Sequence, residues 1–344
     1  MSPALAFAPA RLPAAEMAGP LPEGAERAFD PSGRGRLFWT STARSALRPI
    51  LLHLRATGAL PDKNGELLAP RWACTSLYNT IQKVCFPTSQ DSPSLRGVLV
   101  YHQYGFPQRL DLISQRCRDR GLFLIENDVN CVFSGPAAHG MGEAGIASIF
   151  SLPKMFRTLL GGALVSRDPA LTAFCETYFR EEEPWIGRLC RASRRLNERF
   201  PDATQRLQEM VYALSDYGRA AAPADVGRMR ADFAGGAVSR RKENYARLRK
   251  EFADAPFFAG LESDVVPYVA PLFGPPAFLT RLSAALTRAG WESGIYSFDA
   301  ARDLFAPAFV PCVPQPVHQG LSNADMDAQI EIVRAEWRGH NGQR

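Results

Sequence analysis

Residues 147–166 read ASIFSLPKMFRTLLGGALVS, and this stretch decides the fold. A short apolar run from Ala147 to Phe150 ends in Ser151, a lysine follows at 154, and the Gly161-Gly162 pair opens a second apolar run from Ala163 to Val165. Short apolar runs bounded by turn residues suit buried strands, and paired glycines suit a tight return from one strand into the next. Lys154 is therefore predicted on a loop between two sheet strands. Upstream, Leu122 to Glu126 (LFLIE) and Gly97 to His102 (GVLVYH) read as further buried strands. The helix between them carries Leu110, Ile113 and Cys117 on one face and should stop near Gly121. Strands alternating with amphipathic stretches from about residue 37 to 166 predict an α/β fold, a mostly parallel central sheet flanked by helices.

At the upstream end, Thr40-Ser41-Thr42-Ala43 precedes the amphipathic positions Ala46, Leu47, Ile50, Leu51 and Leu54, which is how a capped helix begins. Pro49 predicts a kink or a late start there. Beyond residue 167 the pattern is helical to about residue 253 and includes the charged helix SRRKENYARLRKEF (Ser239 to Phe252). From Asp264 onward, VVPYVAPLF, a helix near Phe278 to Ala289 and a last helix from Asn323 predict a smaller α+β unit. The expected division is an N-terminal arm (1–36), a large domain (37–235) and a small C-terminal domain (236–344).

The 344 residues suffice for a sizeable core, and no run of 18 apolar residues suggests a membrane span. Forty basic against 35 acidic residues leave a charge of +5, but the arginines are scattered along helices without the aromatic interleaving of a nucleic-acid groove. A solvated basic surface is the reading for them. Seven cysteines without a C-x-x-C pair read as reduced thiols of a cytoplasmic protein, and neither they nor the five histidines show metal-ligand spacing. Ala- and Pro-rich residues at the start are interrupted by Glu16, Glu23 and Glu26, unlike a signal peptide.

Only five lysines occur. Lys63 lies in a polar turn, Lys83 follows a helix-like stretch, and Lys242 and Lys250 belong to the charged helix, so each reads as solvated. Lys154 alone sits in an apolar, glycine-flanked loop at a strand end.

Residues 97–166 resemble the DegT/StrS family, the pyridoxal-phosphate (PLP)-dependent aminotransferases of nucleotide-sugar biosynthesis. The resemblance rests on pieces in the family's order: TSTARSAL (Thr40 to Leu47), an H-x-Y-G-x-P turn (His102 to Pro107), IEN (Ile125 to Asn127), Gly142 to Gly145, Phe150-Ser151 with Lys154, Gly161-Gly162, and HQGL (His318 to Leu321). It extends more weakly to about residues 37 and 340. It implies the fold-type-I architecture of PLP enzymes, PLP as cofactor and Lys154 as the lysine that carries it. Thr42, Ala43 and Ser151 would hold the phosphate, Trp72 would stack on the ring, and Asn127 would meet the ring nitrogen, with Asn130 close to the ring or its 3′-oxygen. His102 and His318 are the candidates to meet substrate. Arg240, Arg241 and Asn244 would serve a neighbouring subunit of a homodimer or, on the residues alone, a solvated helix face. The implied activity is amino transfer to the keto group of a sugar nucleotide or similar small carbonyl compound.

Two departures matter. Relatives place a carboxylate where Asn127 stands, and an amide hydrogen-bonds without supplying negative charge. Using Asp128 instead would need a one-residue shift, turning the side chain to the other strand face. The loop from Ser151 to Lys154 is also two residues shorter than in many members. A PLP-dependent lyase or dehydratase, and a degenerate binding subunit, therefore stay open beside the aminotransferase.

Overall fold

The structure, a computed structural model, describes residues 25–133, 139–180, 184–200, 207, 210–211, 213–218 and 220–341. Its centre is a seven-stranded sheet in the order β1-β7-β6-β5-β4-β2-β3. The strands are β1 (Arg36–Thr40), β2 (Glu66–Leu68), β3 (Phe86–Thr88), β4 (Leu95–Tyr101), β5 (Phe123–Asn127), β6 (Ala147–Ser151) and β7 (Gly162–Ser166). β3, β2, β4, β5 and β6 run parallel, whereas β7 and β1 pair antiparallel at the other end. Parallel strands covered on both faces need continuous apolar runs, and the core of β4 (Val98, Leu99, Val100) is wholly buried accordingly.

Helix α1 (Ala43–Ala56) lies against β6 and β7 and buries Ala46, Leu47, Ile50, Leu51 and Leu54, the face its sequence predicted. Thr42 and Ser45 form a reciprocal capping box at its start. The helix runs through Pro49, so it starts early rather than after the proline. α2 (Thr75–Gln82) follows β2, and α3 (Leu110–Arg120) ends at Gly121 in the left-handed conformation (φ 63°), as expected.

The helical stretch after β7 contains helices Pro169–Tyr178, Pro184–Arg199, Pro223–Ala234 and Ala237–Glu251. A second, antiparallel sheet of β8 (Val269–Phe273), β10 (Phe309–Pro316) and β9 (Tyr296–Asp299) is covered by helices Pro276–Arg288 and Asn323–Asn341. Phe257, Phe278 and Trp337 interlock there, with ring centroids 4.8–5.3 Å apart.

Residues 25–36, the end of the expected arm, pack against the larger sheet. Phe29 is buried edge-on against Trp39 (5.3 Å) and Phe150 (5.2 Å), so this segment belongs to the core of the larger sheet; residues 1–24 lie outside the described residues. No helix among the described residues is long and apolar enough to cross a membrane. All seven cysteines are free thiols, six of them buried.

Candidate active site

The decisive stretch forms the return from β6 to β7, strands paired with Ser151 opposite Gly162. Between them a single helical turn (Leu152–Met155) carries Lys154 into a cavity of about 420 Å³. Thr42, Ala43, Asn127, Ser151 and Tyr268 line this cavity with it. The glycine pair explains how α1 can begin at its wall. A Cβ on Gly162 would stand 2.5 Å from the Thr42 carbonyl carbon and 2.6 Å from the Ala43 nitrogen, so only a residue without side chain lets the helix start sit on β7. Gly161 donates its N–H to the Ser41 carbonyl (2.9 Å) and fixes the same junction.

The lysine turn is held from beneath by groups the sequence did not single out for this task. Arg241, 1% exposed, donates to the carbonyls of Lys154 (3.2 Å) and Met155 (3.3 Å), to those of Pro267 and Tyr268, and to Gln319 Oε1. Gln319 in turn donates to the Met155 carbonyl at 3.1 Å. Two buried carboxylates on helix Pro223–Ala234 hold the rest of the return. Asp225 accepts from the Leu159 and Leu160 N–H groups, and Asp232 accepts from Arg157 through backbone and guanidinium. Spaced seven apart, these two aspartates share one helix face. That spacing was the available signal.

Burial holds the Lys154 amine below the usual lysine range, with the thiols of Cys74 and Cys131 pulling the other way. Its Nζ lies 6.0 Å from the Tyr268 ring centroid. A desolvated amine of this kind spends more of its time neutral, which is the form that attacks a carbonyl carbon. Across the cavity, the Oδ1 atom of Asn127 is buried without a hydrogen-bond partner among the described residues. The third wall is the start of α1, where Thr42, Ala43 and Arg44 present the positive end of the helix dipole. The Thr42 hydroxyl already donates to the Ser215 carbonyl at 3.2 Å.

The structure thus brings together Thr42, Ala43, Asn127, Ser151 and Lys154, and it separates the other four expected residues from them. Trp72 is 58% exposed, stands edge-on to Phe309 at 6.2 Å and lines a different cavity of about 190 Å³. It does not face Lys154; from the same segment Cys74, at the N-cap of α2, does. Asn130 is buried with its Oδ1 accepting the Tyr101 hydroxyl and lines no part of the Lys154 cavity. His102 is wholly buried, its Nδ1 accepting the Gln108 N–H at 3.0 Å, and it lines no part of the Lys154 cavity. His318 is buried in the turn after β10, outside the cavity lining, and Gln319 beside it makes the contact to the lysine turn. Asn244 likewise turns inward, donating to the Val317 and His318 carbonyls, whereas Arg240 stays on the surface against Asn323 and Glu243. Asn127, not Asp128, lines the cavity.

No family model matches the sequence, and no curated protein matches it. Solved structures do. DesI, crystallised in the presence of its TDP-sugar product, superposes with a TM-score of 0.66 at 16% identity, covering 97% of this chain and 93% of that one. The fold is that of sugar aminotransferases. Helicobacter pylori PseC, an aminotransferase of pseudoaminic acid biosynthesis, gives a TM-score of 0.61 at 14% identity over 92% of this chain and 90% of its own. The putative sugar aminotransferase Spr1654 of Streptococcus pneumoniae, in its PMP form, gives 0.59 at 15% identity over 97% and 99%. This is the fold-type-I architecture that the resemblance implied, shared here at low sequence identity.

Proposed function

We propose that this chain is a PLP-dependent aminotransferase that delivers an amino group to the keto carbon of a sugar nucleotide or a similar small carbonyl compound. The carrying observation is a single desolvated lysine amine in a cavity that offers an unpartnered amide oxygen on one side and a helix N-terminus on another. These residues fit the cofactor. The start of α1 with the Ser151 hydroxyl suits a phosphate dianion, the buried Asn127 Oδ1 suits a ring N–H, and the cavity volume is that of a small-ligand site. Structural neighbours in PLP and PMP forms support the same choice.

When bound, PLP supplies a conjugated ring that withdraws carbanion charge. The protein does the rest. Lys154 would provide the nitrogen that holds the cofactor and, as a free amine, would hold and return a proton at its own Nζ. Tyr268 and the apolar lining keep water from that nitrogen, which preserves its lowered proton affinity. Asn127 orients the ring by accepting a hydrogen bond but adds no charge. In this reading the chain works as a cytoplasmic homodimer whose cavity is completed at the interface, with a large domain to residue 235 and a small one from residue 236.

Adding PLP to the purified protein should produce a visible absorption band that Lys154→Ala lacks, and borohydride reduction followed by peptide mapping should label position 154. A cofactor-loaded protein unlabelled at 154 would remove the proposal. The uncharged Asn127 favours one further reading, a PLP-dependent elimination or dehydration. Incubation with L-glutamate separates the two, since only amino transfer converts the bound cofactor to its pyridoxamine form.

A further inference from the structure

At the C-terminal ends of β4 and β5 lies a wholly buried group that the proposed chemistry does not use: His102, Glu126 and Asp128. His102 Nε2 stands 3.4 Å from Glu126 Oε2 and 3.6 Å from Asp128 Oδ1. Its Nδ1 accepts the Gln108 N–H, so the ring hydrogen resides on Nε2 and points between the two carboxylates. With that tautomer Nε2 has no lone pair to offer a cation, although the three groups lie within ligand spacing of one another.

The two carboxylates are not equivalent. Glu126 accepts the N–H groups of Gly142 (2.7 Å), Ala144 (2.8 Å) and Gly145 (3.0 Å), and Arg167 reaches it at 3.5 Å. Among the described residues neither oxygen of Asp128 has a partner in hydrogen-bonding geometry; the Ser148 hydroxyl and His102 Nε2–H are the donors that face it. Burial raises the Glu126 carboxyl, but the His102 hydrogen bond, Arg167 and the Gly145 N–H outweigh it and hold the group low. For Asp128, burial and then the Glu126 charge dominate, and its carboxyl is pushed up to about 7. The remaining groups facing the cluster are Arg167, which attracts both carboxylates, and the Cys131 thiol, which feels both of them and Lys154 as well. Asn127, which lines the cavity, stands in the chain between Glu126 and Asp128, so the cluster flanks the cavity wall on the opposite face of one strand end.

We propose that Asp128 is the charge-setting, positioning residue of the site: buried beside the Glu126 carboxylate, it holds a proton in the cofactor-free protein on the acid side of neutrality, gives that proton up when a cationic ring is seated against Asn127, and so supplies from behind the strand the negative charge that the amide at 127 lacks. In that step the Asp128 O–H bond breaks, its electron pair stays on the carboxylate, and the proton leaves to the buffer. The second half rests on the proposed cofactor; the proton on Asp128 does not.

The experiment has two arms so that the halves fail separately. In cofactor-free protein carrying carboxyl-labelled aspartate, the infrared spectrum should show a carboxylic-acid band at about pH 6 that fades as pH rises and is missing in Asp128→Asn. Calorimetry of PLP binding at about pH 6, in two buffers of different ionisation enthalpy, should show wild type releasing about one proton more than Asp128→Asn. Absence of that band from the wild-type-minus-variant difference spectrum overturns the proposal outright; Asp299, whose carboxyl burial also raises, contributes equally to both proteins and cancels. Equal proton release in the two proteins overturns the coupling to the cavity. If PLP binds neither protein, the proposed function falls and takes the coupling with it, while the infrared arm still decides the proton. Should Asp128→Asn not fold, the same difference spectrum is taken between wild type and Asp299→Asn, a variant in which the Asp128 band must remain, and the proton count on binding, high at pH 6 and vanishing well above 7, decides the second half.

Discussion

Two segments contribute to the lining of the Lys154 cavity, the return from β6 to β7 and the connection from β2 into α2, and they differ in what fixes them. The return is held by backbone groups: strand pairing to Gly162, N–H groups on Asp225, and carbonyls on Arg241. The other segment has no side-chain cap on α2 and leaves Trp72 more than half exposed. A position defined by main-chain hydrogen bonds and a missing Cβ tolerates little change, whereas one defined by a loop side chain can drift by two residues along the chain. That is the shift from the expected Trp72 to Cys74.

Substitutions can break or sharpen this contrast. The largest effect should come from Lys154→Ala, which abolishes turnover by several orders of magnitude while leaving the melting temperature equal or higher, because a buried amine costs desolvation energy in the native protein. Gly162→Ala comes next. Its Cβ meets backbone rather than a flexible side chain, so α1 must shift; the expected cost is about 1–3 kcal/mol by denaturant titration, with PLP affinity reduced at least severalfold.

Asp128→Asn should alter the pH dependence of stability. Below 3.8 the carboxyl is protonated folded and unfolded alike; between 3.8 and about 7 the unfolded chain releases a proton that the folded one keeps, so wild type gains no stability from ionisation and loses some as pH rises. The variant should lack that loss, ending more stable than wild type at pH 8 relative to pH 4 by up to a few kcal/mol, read as the difference of the two urea-unfolding curves. An identical pH course in both would contradict the carboxyl's placement.

Alkylating the one exposed thiol, Cys74, should lower PLP affinity, and prior loading with PLP should slow the alkylation. The smallest effect belongs to Trp72→Ala, within about 0.5 kcal/mol in stability and less than about twofold in PLP affinity. A large loss of affinity there would place the indole back in the site and erase the contrast.

What the sequence made legible follows the same division. Strands β4 to β7, the α3 stop at Gly121, the capped start at Thr42-Ala43 and the apolar, glycine-flanked setting of Lys154 are written in local pattern, whereas Asn127 and Ser151 are singled out by the family resemblance. Thr42, Ala43, Asn127, Ser151 and Lys154 all line the one cavity. The rest depends on contacts distant in the chain. Arg241 read as part of a charged, solvated helix because three of its neighbours are charged, and nothing local says that its guanidinium is buried against carbonyls 26 and 87 residues away. His102 and His318 looked available because histidine is polar, yet each lies where packing closes over it. Asp128 is the subtler case. The period of two along a strand correctly sends it away from the cavity, but only the folded chain shows which charges it meets there.

The inward-turned guanidinium of Arg241 also bears on how the protein is made. When the ribosome has delivered residues up to 220, every described residue lining the lysine pocket except Tyr268 exists, but the turn that carries the amine has no anchor below it. The anchor arrives with residue 241, and its last partner with Gln319, some 25 residues from the C-terminus. A nascent or truncated chain should therefore hold its sheet before it can hold its cofactor, with competence appearing late and all at once.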